Sequence, residues 1–123
     1  MMKLHLDGAD NIYFVQAYDH DSVTIREKRY CDNLLVMPKR LEIWTATAFA
    51  ALTIADFSLL TTWKPEVVLL GTADKLRFPP TEILSSLIQQ GIGVEVMDRY
   101  AACRTFNILV AEGRDVAAAL LFH

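Results

Sequence analysis

The reactive side chains of this chain gather in two short segments. The first is Asp98-Arg99-Tyr100-Ala101-Ala102-Cys103-Arg104-Thr105, which follows an apolar run and opens a helical pattern. The first turn of a helix offers unpaired N–H groups and a partial positive charge. Arg99 and Arg104 add charge there. The second segment is Gly71-Thr72-Ala73-Asp74, at the end of another apolar run, with Lys75 and Arg77 just beyond it. If the two apolar runs are neighbouring strands, their exit loops converge into an anion or carboxylate site. The simpler alternative is that Asp98 caps a helix and the arginines are solvated or paired with Glu95 and Asp74. A single glycine and the absence of GxGxxG or GxxxxGK[ST] favour a tight turn over a phosphate loop.

No other group completes a reaction centre. Cys103 beside Arg104 near a helix start has surroundings that lower a thiol pKa. A nucleophile needs a base, however, and His5, His20 and His123 lie in the N-terminal tail, the first turn and the last position. Cys103 therefore reads as a small buried helix residue. Asp19-His20-Asp21 has ligand chemistry, but adjacent ligands in one turn rarely close a metal site, so it reads as a solvated turn. Arg26-Glu27-Lys28-Arg29 reads as an exposed mixed-charge face. Trp44, Phe49, Phe57 and Trp63 read as core. The expectation is no catalytic residue, no metal and no cofactor.

The elements that must position these residues follow from periodicity. Ile12 to Tyr18, Val23 to Arg26, Leu34 to Met37 and Leu41 to Trp44 predict an antiparallel meander of three or four strands, with Pro38 stopping the third. Thr53 or Ala55 to Leu60 predicts a short helix with Thr53 and Asp56 as caps. Glu66 to Leu70 is almost wholly apolar, as a strand buried on both faces should be. Ile83 to Gln90 predicts a helix ended by Gly91, Gly93 to Met97 a strand, Tyr100 to Glu112 a helix ended by Gly113, and Val116 to Phe122 a strand. Alternating strands and helices mean a parallel or mixed sheet with crossover helices. The predicted fold is one α/β domain over residues 1–123, with the meander capping it.

Composition narrows the partners. Of 123 residues, 53% are hydrophobic and 22% charged, which excludes a disordered chain. The net charge of −3 and pI near 5.5 give no global basic field for nucleic acid. The tract from Ala46 to Leu60 is broken by Thr47, Thr53, Asp56 and Ser58 before it reaches the ~20 apolar residues of a membrane span. The N-terminal residues show no apolar leader pattern, and Cys31 and Cys103 form no CxxC. The reading is a reduced, cytoplasmic protein without membrane insertion.

The second half resembles the Mth938-like domain family, DUF498. The matching text is Pro65 to Thr72, Arg77-Phe78-Pro79, Gly91 to Asp98, Ala101 to Leu109, and Glu112-Gly113-Arg114 with the Val116 to Leu121 run. The N-terminal match rests on Leu34 to Pro38 and Trp44. Ala73 stands where a second glycine is common, Arg99 where a threonine usually follows the Met-Asp pair, and Phe106 where tyrosine is frequent. The resemblance implies a three-layer α/β fold with a mixed central sheet and an additional N-terminal antiparallel β layer. It also implies kinship with mitochondrial complex I assembly factors, which act through protein–protein contacts, and it supplies no catalytic residue set. The functional expectation is a non-catalytic binding or assembly factor. Its partner would be another protein, meeting one surface made of Gly71, Thr72, Phe78, Pro79, Met97, Asp98, Ala101 and Arg104. The alternative is a small-anion-binding protein or enzyme with a pocket at the Gly71-Thr72 and Asp98-Arg99 exits.

Overall fold

Alternation along the apolar runs decides the architecture. The computed structural model describes Met2–Lys3 and residues 12–123; His5 lies outside the described residues. Five strands make the main sheet: β5 (Leu34–Met37), β6 (Arg40–Ile43), β7 (Val67–Thr72), β8 (Gly93–Met97) and β9 (Val116–Leu121), in the order β6-β5-β9-β7-β8. The β9-β7-β8 core is parallel, and β5 and β6 add antiparallel. Every residue of β5, β7 and β9 is buried. One face sends Leu34, Val36, Val67, Leu69, Val116, Ala118 and Leu120 into one core. The other sends Leu35, Met37, Val68, Leu70, Ala117, Ala119 and Leu121 into a second. Two-sided burial is what an unbroken apolar run requires.

Helices cover both faces. The segment Thr53–Trp63 packs on the second core with Phe57 and Leu60, as a 3₁₀ turn followed by α1 (Ser58–Trp63). Asp56 caps it, its carboxylate accepting from the Thr53 N–H at 2.8 Å and the Thr53 hydroxyl at 3.2 Å. A 3₁₀ turn at Thr81–Leu84 leads into α2 (Ser85–Gln89), which adds Leu84 and Leu87 to the same core. The first core receives Ala102, Cys103, Phe106 and Val110 of α3 (Arg99–Ala111). Gly91 and Gly113 end α2 and α3 at φ +75° and +77°, the left-handed conformation expected of them. Trp44 and Phe57 are buried in the second core and meet edge-to-face at 5.5 Å, whereas Phe49 and Trp63 are only half-buried against it.

The N-terminal layer is a second, four-stranded antiparallel sheet, β1 (Met2–Lys3), β2 (Ala17–Tyr18), β3 (Val23–Ile25) and β4 (Lys28–Tyr30). It departs from the expected meander in three ways. Leu34–Met37 and Arg40–Ile43 belong to the main sheet, because a four-residue run buried on both faces has no place in an outer layer. Lys28–Tyr30 is a strand, although its residues are exposed or half-exposed as expected. The two-residue turn Arg26–Glu27 has φ of +50° and +64°, the conformation of a primed hairpin turn without its usual glycine or asparagine. Finally, most of Ile12 to Tyr18 lies outside any ladder. The Asn107 carboxamide of α3 substitutes for a neighbouring strand. It accepts from the Val15 N–H at 2.8 Å and donates to the Val15 carbonyl at 2.8 Å.

Candidate functional site at the carboxyl edge of the sheet

The exits of β7 and β8 are adjacent. Gly71 and Met97 are paired across the parallel ladder, and the Arg99 N–H donates to the Ala73 carbonyl at 2.7 Å. The chain leaves β7 toward α2 on one face and leaves β8 toward α3 on the other. Neighbouring exits that part to opposite faces leave a crevice, the usual ligand position of an open α/β sheet.

Thr72 shapes the loop after β7. Its hydroxyl donates to the Lys75 carbonyl at 2.8 Å and accepts from the Arg77 N–H at 3.0 Å. Ala73 sits at φ +62°, a left-handed residue carrying a Cβ where glycine is common in the resembled family. Gly71 is buried and Thr72 fully so, and both serve to position the edge. Gly71 is small for a local reason. A Cβ there would lie 3.1 Å from each of Ala102 Cβ, Arg99 Cα and Leu120 Cδ2, so α3 crosses β7 at this point.

The remaining expected residues spread along the edge. Asp98 caps α3, its carboxylate accepting from the Ala101 N–H at 2.9 Å. The Ala101 N–H at the helix start is therefore satisfied by the chain's own residue. Met97, Asp98 and Ala101 are half-buried, whereas Phe78 is 71% exposed and Pro79 half-buried. Arg104 turns to the N-terminal layer and donates to the Tyr18 hydroxyl at 2.9 Å. That bond holds its pKa above the ordinary arginine value.

Burial separates the two cysteines. Cys103 has no solvent contact, and burial pushes its thiol up to about 12, against the lowering effect of Arg99 and Arg104. A thiol in that state is inert. Cys31 is exposed, with its sulfur 3.3 Å from an Arg29 nitrogen. Asp19 organises the turn before β3. Its carboxylate accepts from the Asp21 N–H and the Ser22 hydroxyl, both at 2.9 Å. The Asp21 N–H is the main cause of a pKa below the ordinary carboxylate value.

The residue that sequence reasoning undervalued is Arg99. It is 1% exposed and, among the described residues, has no carboxylate within ion-pair distance, the ion pairs there being Arg29–Asp19 and Arg114–Glu66. Its guanidinium donates to the carbonyls of His20 at 2.6 Å, Asp19 at 3.2 Å and Leu121 at 3.4 Å. The rings of Phe122 and Tyr100 lie 4.1 and 5.1 Å away. Arg99 is thus neither solvated nor paired with Glu95 or Asp74, the simpler alternatives offered by the sequence; backbone acceptors from the N-terminal turn and the end of β9 take their place. The one signal in the sequence was the arginine itself, at a position where the resemblance leads one to expect threonine.

Arg99 also lines a cavity of about 510 Å3 at this edge. Lys75 and Arg77 come to it from the exit of β7, Phe122 and His123 from the end of β9, and His20 and Cys31 from the N-terminal layer. None of the eight expected surface residues lines it. Among the described residues no three His, Cys, Asp or Glu side chains cluster as a metal site.

Residues 15–121 match the family described as a protein of unknown function, DUF498/DUF598. The chain belongs to this family. A solution structure of a Bordetella pertussis protein, called a Mth938-like domain, shares the fold with a TM-score of 0.83 and 30% identity, covering 98% of this chain and 92% of that one. NADH dehydrogenase [ubiquinone] 1 alpha subcomplex assembly factor 3 of Xenopus tropicalis is 31% identical over 121 residues, 97% of this chain and 66% of that protein. The chain thus spans a little under two thirds of that relative's length. A Francisella tularensis relative named 13 kDa major membrane protein is 36% identical over 67 residues, 54% of each chain. This DUF498 chain has, among its described residues, no helix long and apolar enough to cross a membrane.

Proposed function

We propose that this DUF498 protein is a non-catalytic assembly factor for a respiratory NADH dehydrogenase, acting in the cytoplasm through protein–protein contacts. The observation that carries the reading is the match of nearly the whole chain to relatives named as complex I assembly factors. Exposed apolar residues on the loop after β7 support it. Phe78 is 71% exposed and Leu76 half-exposed on the loop after β7, and Met97, Asp98 and Ala101 are half-buried at the exit of β8 and the start of α3. An exposed aromatic on a well-braced loop is the kind of anchor that partner pockets take up. Arg104 borders the same helix face.

The test is removal of the protein from its own cell, with the assembled NADH dehydrogenase followed on native gels. Loss should lower the assembled complex and leave subassemblies. Wild-type protein should restore it, and Phe78→Ser should not, although its unfolding midpoint is unchanged. Full assembly without the protein would refute the role. Cell fractionation tests the location, and recovery with membranes after a salt wash would place it with the Francisella relative's name instead.

A further inference from the structure

We propose that the cavity at the carboxyl ends of β7, β8 and β9 binds a small oxyanion, a phosphate or carboxylate group on a metabolite-sized ligand, against Arg77, Arg99 and Lys75. The inference goes beyond the assembly role and does not depend on it. Two guanidiniums line one cavity, and among the described residues neither has a carboxylate within ion-pair distance. Arg99 brings five N–H donors and finds three protein carbonyls, the one at 3.4 Å a long bond. The Nε groups of Arg77 and Arg99 are both shut from solvent without an acceptor. Buried donors on a cation are costly to leave unmatched. An anion in the adjoining space supplies the countercharge that, among the described residues, both guanidiniums and Lys75 lack.

Position and size agree. The cavity sits where three parallel strands end, and about 510 Å3 falls within the range of small-ligand sites. The Arg77 guanidinium is steadied over the Phe49 ring at 4.7 Å, which leaves its orientation set before a ligand arrives. The two carboxylates at the cavity, Asp21 and Asp74, are on exposed residues where water screens them.

The experiment is amide NMR on the whole chain at low ionic strength. Inorganic phosphate and citrate are titrated separately, and the signals of Lys75, Arg77, Arg99 and His123 are followed. Saturable shifts confined to this edge are expected with one of the two. Phosphate alone would assign a phosphate ligand, and citrate alone a carboxylate ligand. Lys75→Gln/Arg77→Gln should weaken binding by about tenfold or more, the loss of charge-assisted hydrogen bonds, with an unchanged spectrum elsewhere. The proposal fails if neither anion gives saturable shifts, or if the double variant binds as tightly as the wild type. Neither result bears on the assembly role, because no partner protein is present.

Discussion

Replacing Gly71 by alanine places one methyl group where β7 and α3 already touch. The added Cβ would lie 3.1 Å from the Cα of Arg99, the Cβ of Ala102 and a methyl of Leu120, tighter than ordinary carbon contacts. Two of those atoms belong to the α3 backbone or are fixed to it. The helix cannot retreat freely, because Arg99 is tied to Ala73, Asp19 and His20. Overpacking of a core costs about 1–3 kcal/mol. Removing a strand glycine returns about 0.5–1 kcal/mol of that. With the α3 backbone pinned the cost falls in the upper half of that range, about 2–3 kcal/mol, and the net loss should be about 1–2 kcal/mol. At this chain length, roughly 3–5 °C of Tm accompanies each kcal/mol, so the midpoint should fall by roughly 3–10 °C. Gly93→Ala is the internal control, since its Cβ would meet the Glu66 carbonyl and Val67 at an ordinary 3.6 Å. That variant should stay within about 0.5 kcal/mol of the wild type or gain stability. Urea unfolding of both, with equal m-values, makes the comparison. A Gly71→Ala protein as stable as the wild type, or an equal loss in Gly93→Ala, would refute the close-approach argument.

Three further outcomes follow from particular contacts. Ala73→Gly should raise stability by about 0.5–1 kcal/mol in urea, as relief of a left-handed alanine outweighs the added freedom of the unfolded chain. Cys103 holds its proton in the folded state well above the ordinary thiol value of 9.0. Above that value the unfolded chain binds fewer protons than the native one, so stability should fall with pH by about 1.4 kcal/mol per unit toward pH 12. Cys103→Ala should lack that component when the two pH profiles are subtracted, and in the wild type a thiol reagent at neutral pH should modify Cys31 alone until the protein unfolds. Arg104→Ala removes one hydrogen bond from an exposed side chain, and its unfolding free energy should drop by only about 0.5–1 kcal/mol.

Most of the main sheet is readable from the chain because its apolar runs end at strong breaks. Val67–Thr72, Gly93–Met97 and Val116–Leu121 are bounded by a loop or a helix signal, and Gly91 and Gly113 mark the helix ends. The adjacency of the Thr72 and Asp98 exits follows from a strand-helix-strand unit. What escapes is whatever depends on distant acceptors or hidden turns. Arg26–Glu27 makes a hairpin turn with residues that do not advertise one. Asn107 completes an extended segment 92 residues away in sequence. Arg99 is buried because Asp19 and His20, some 80 residues earlier, bring carbonyls to it. No local pattern encodes such a meeting, so the cavity that Arg99 helps to wall was legible only as a convergence of loops.

The Asn107 carboxamide has a further consequence for how the molecule breathes. Among the described residues the N-terminal sheet shares no strand ladder with the main sheet; the N-terminal layer is fastened by a shared core, by the Tyr13 N–H donating to the Pro38 carbonyl, and by bonds from single side chains, Asn107 to Val15, Arg104 to Tyr18 and Arg99 to the turn. Fastenings of that kind can release together without disturbing β7 and β9, whose amides lie in a doubly covered ladder. The chain should therefore contain two cooperative units of unequal depth, with amides of β2–β4 exchanging at lower free energy than those of β7 and β9. Because the shallow unit carries His20 and Cys31 on one wall of the cavity and the deep unit carries Lys75 and Arg77 on the other, any molecule bridging the walls would protect the shallow amides more than the deep ones.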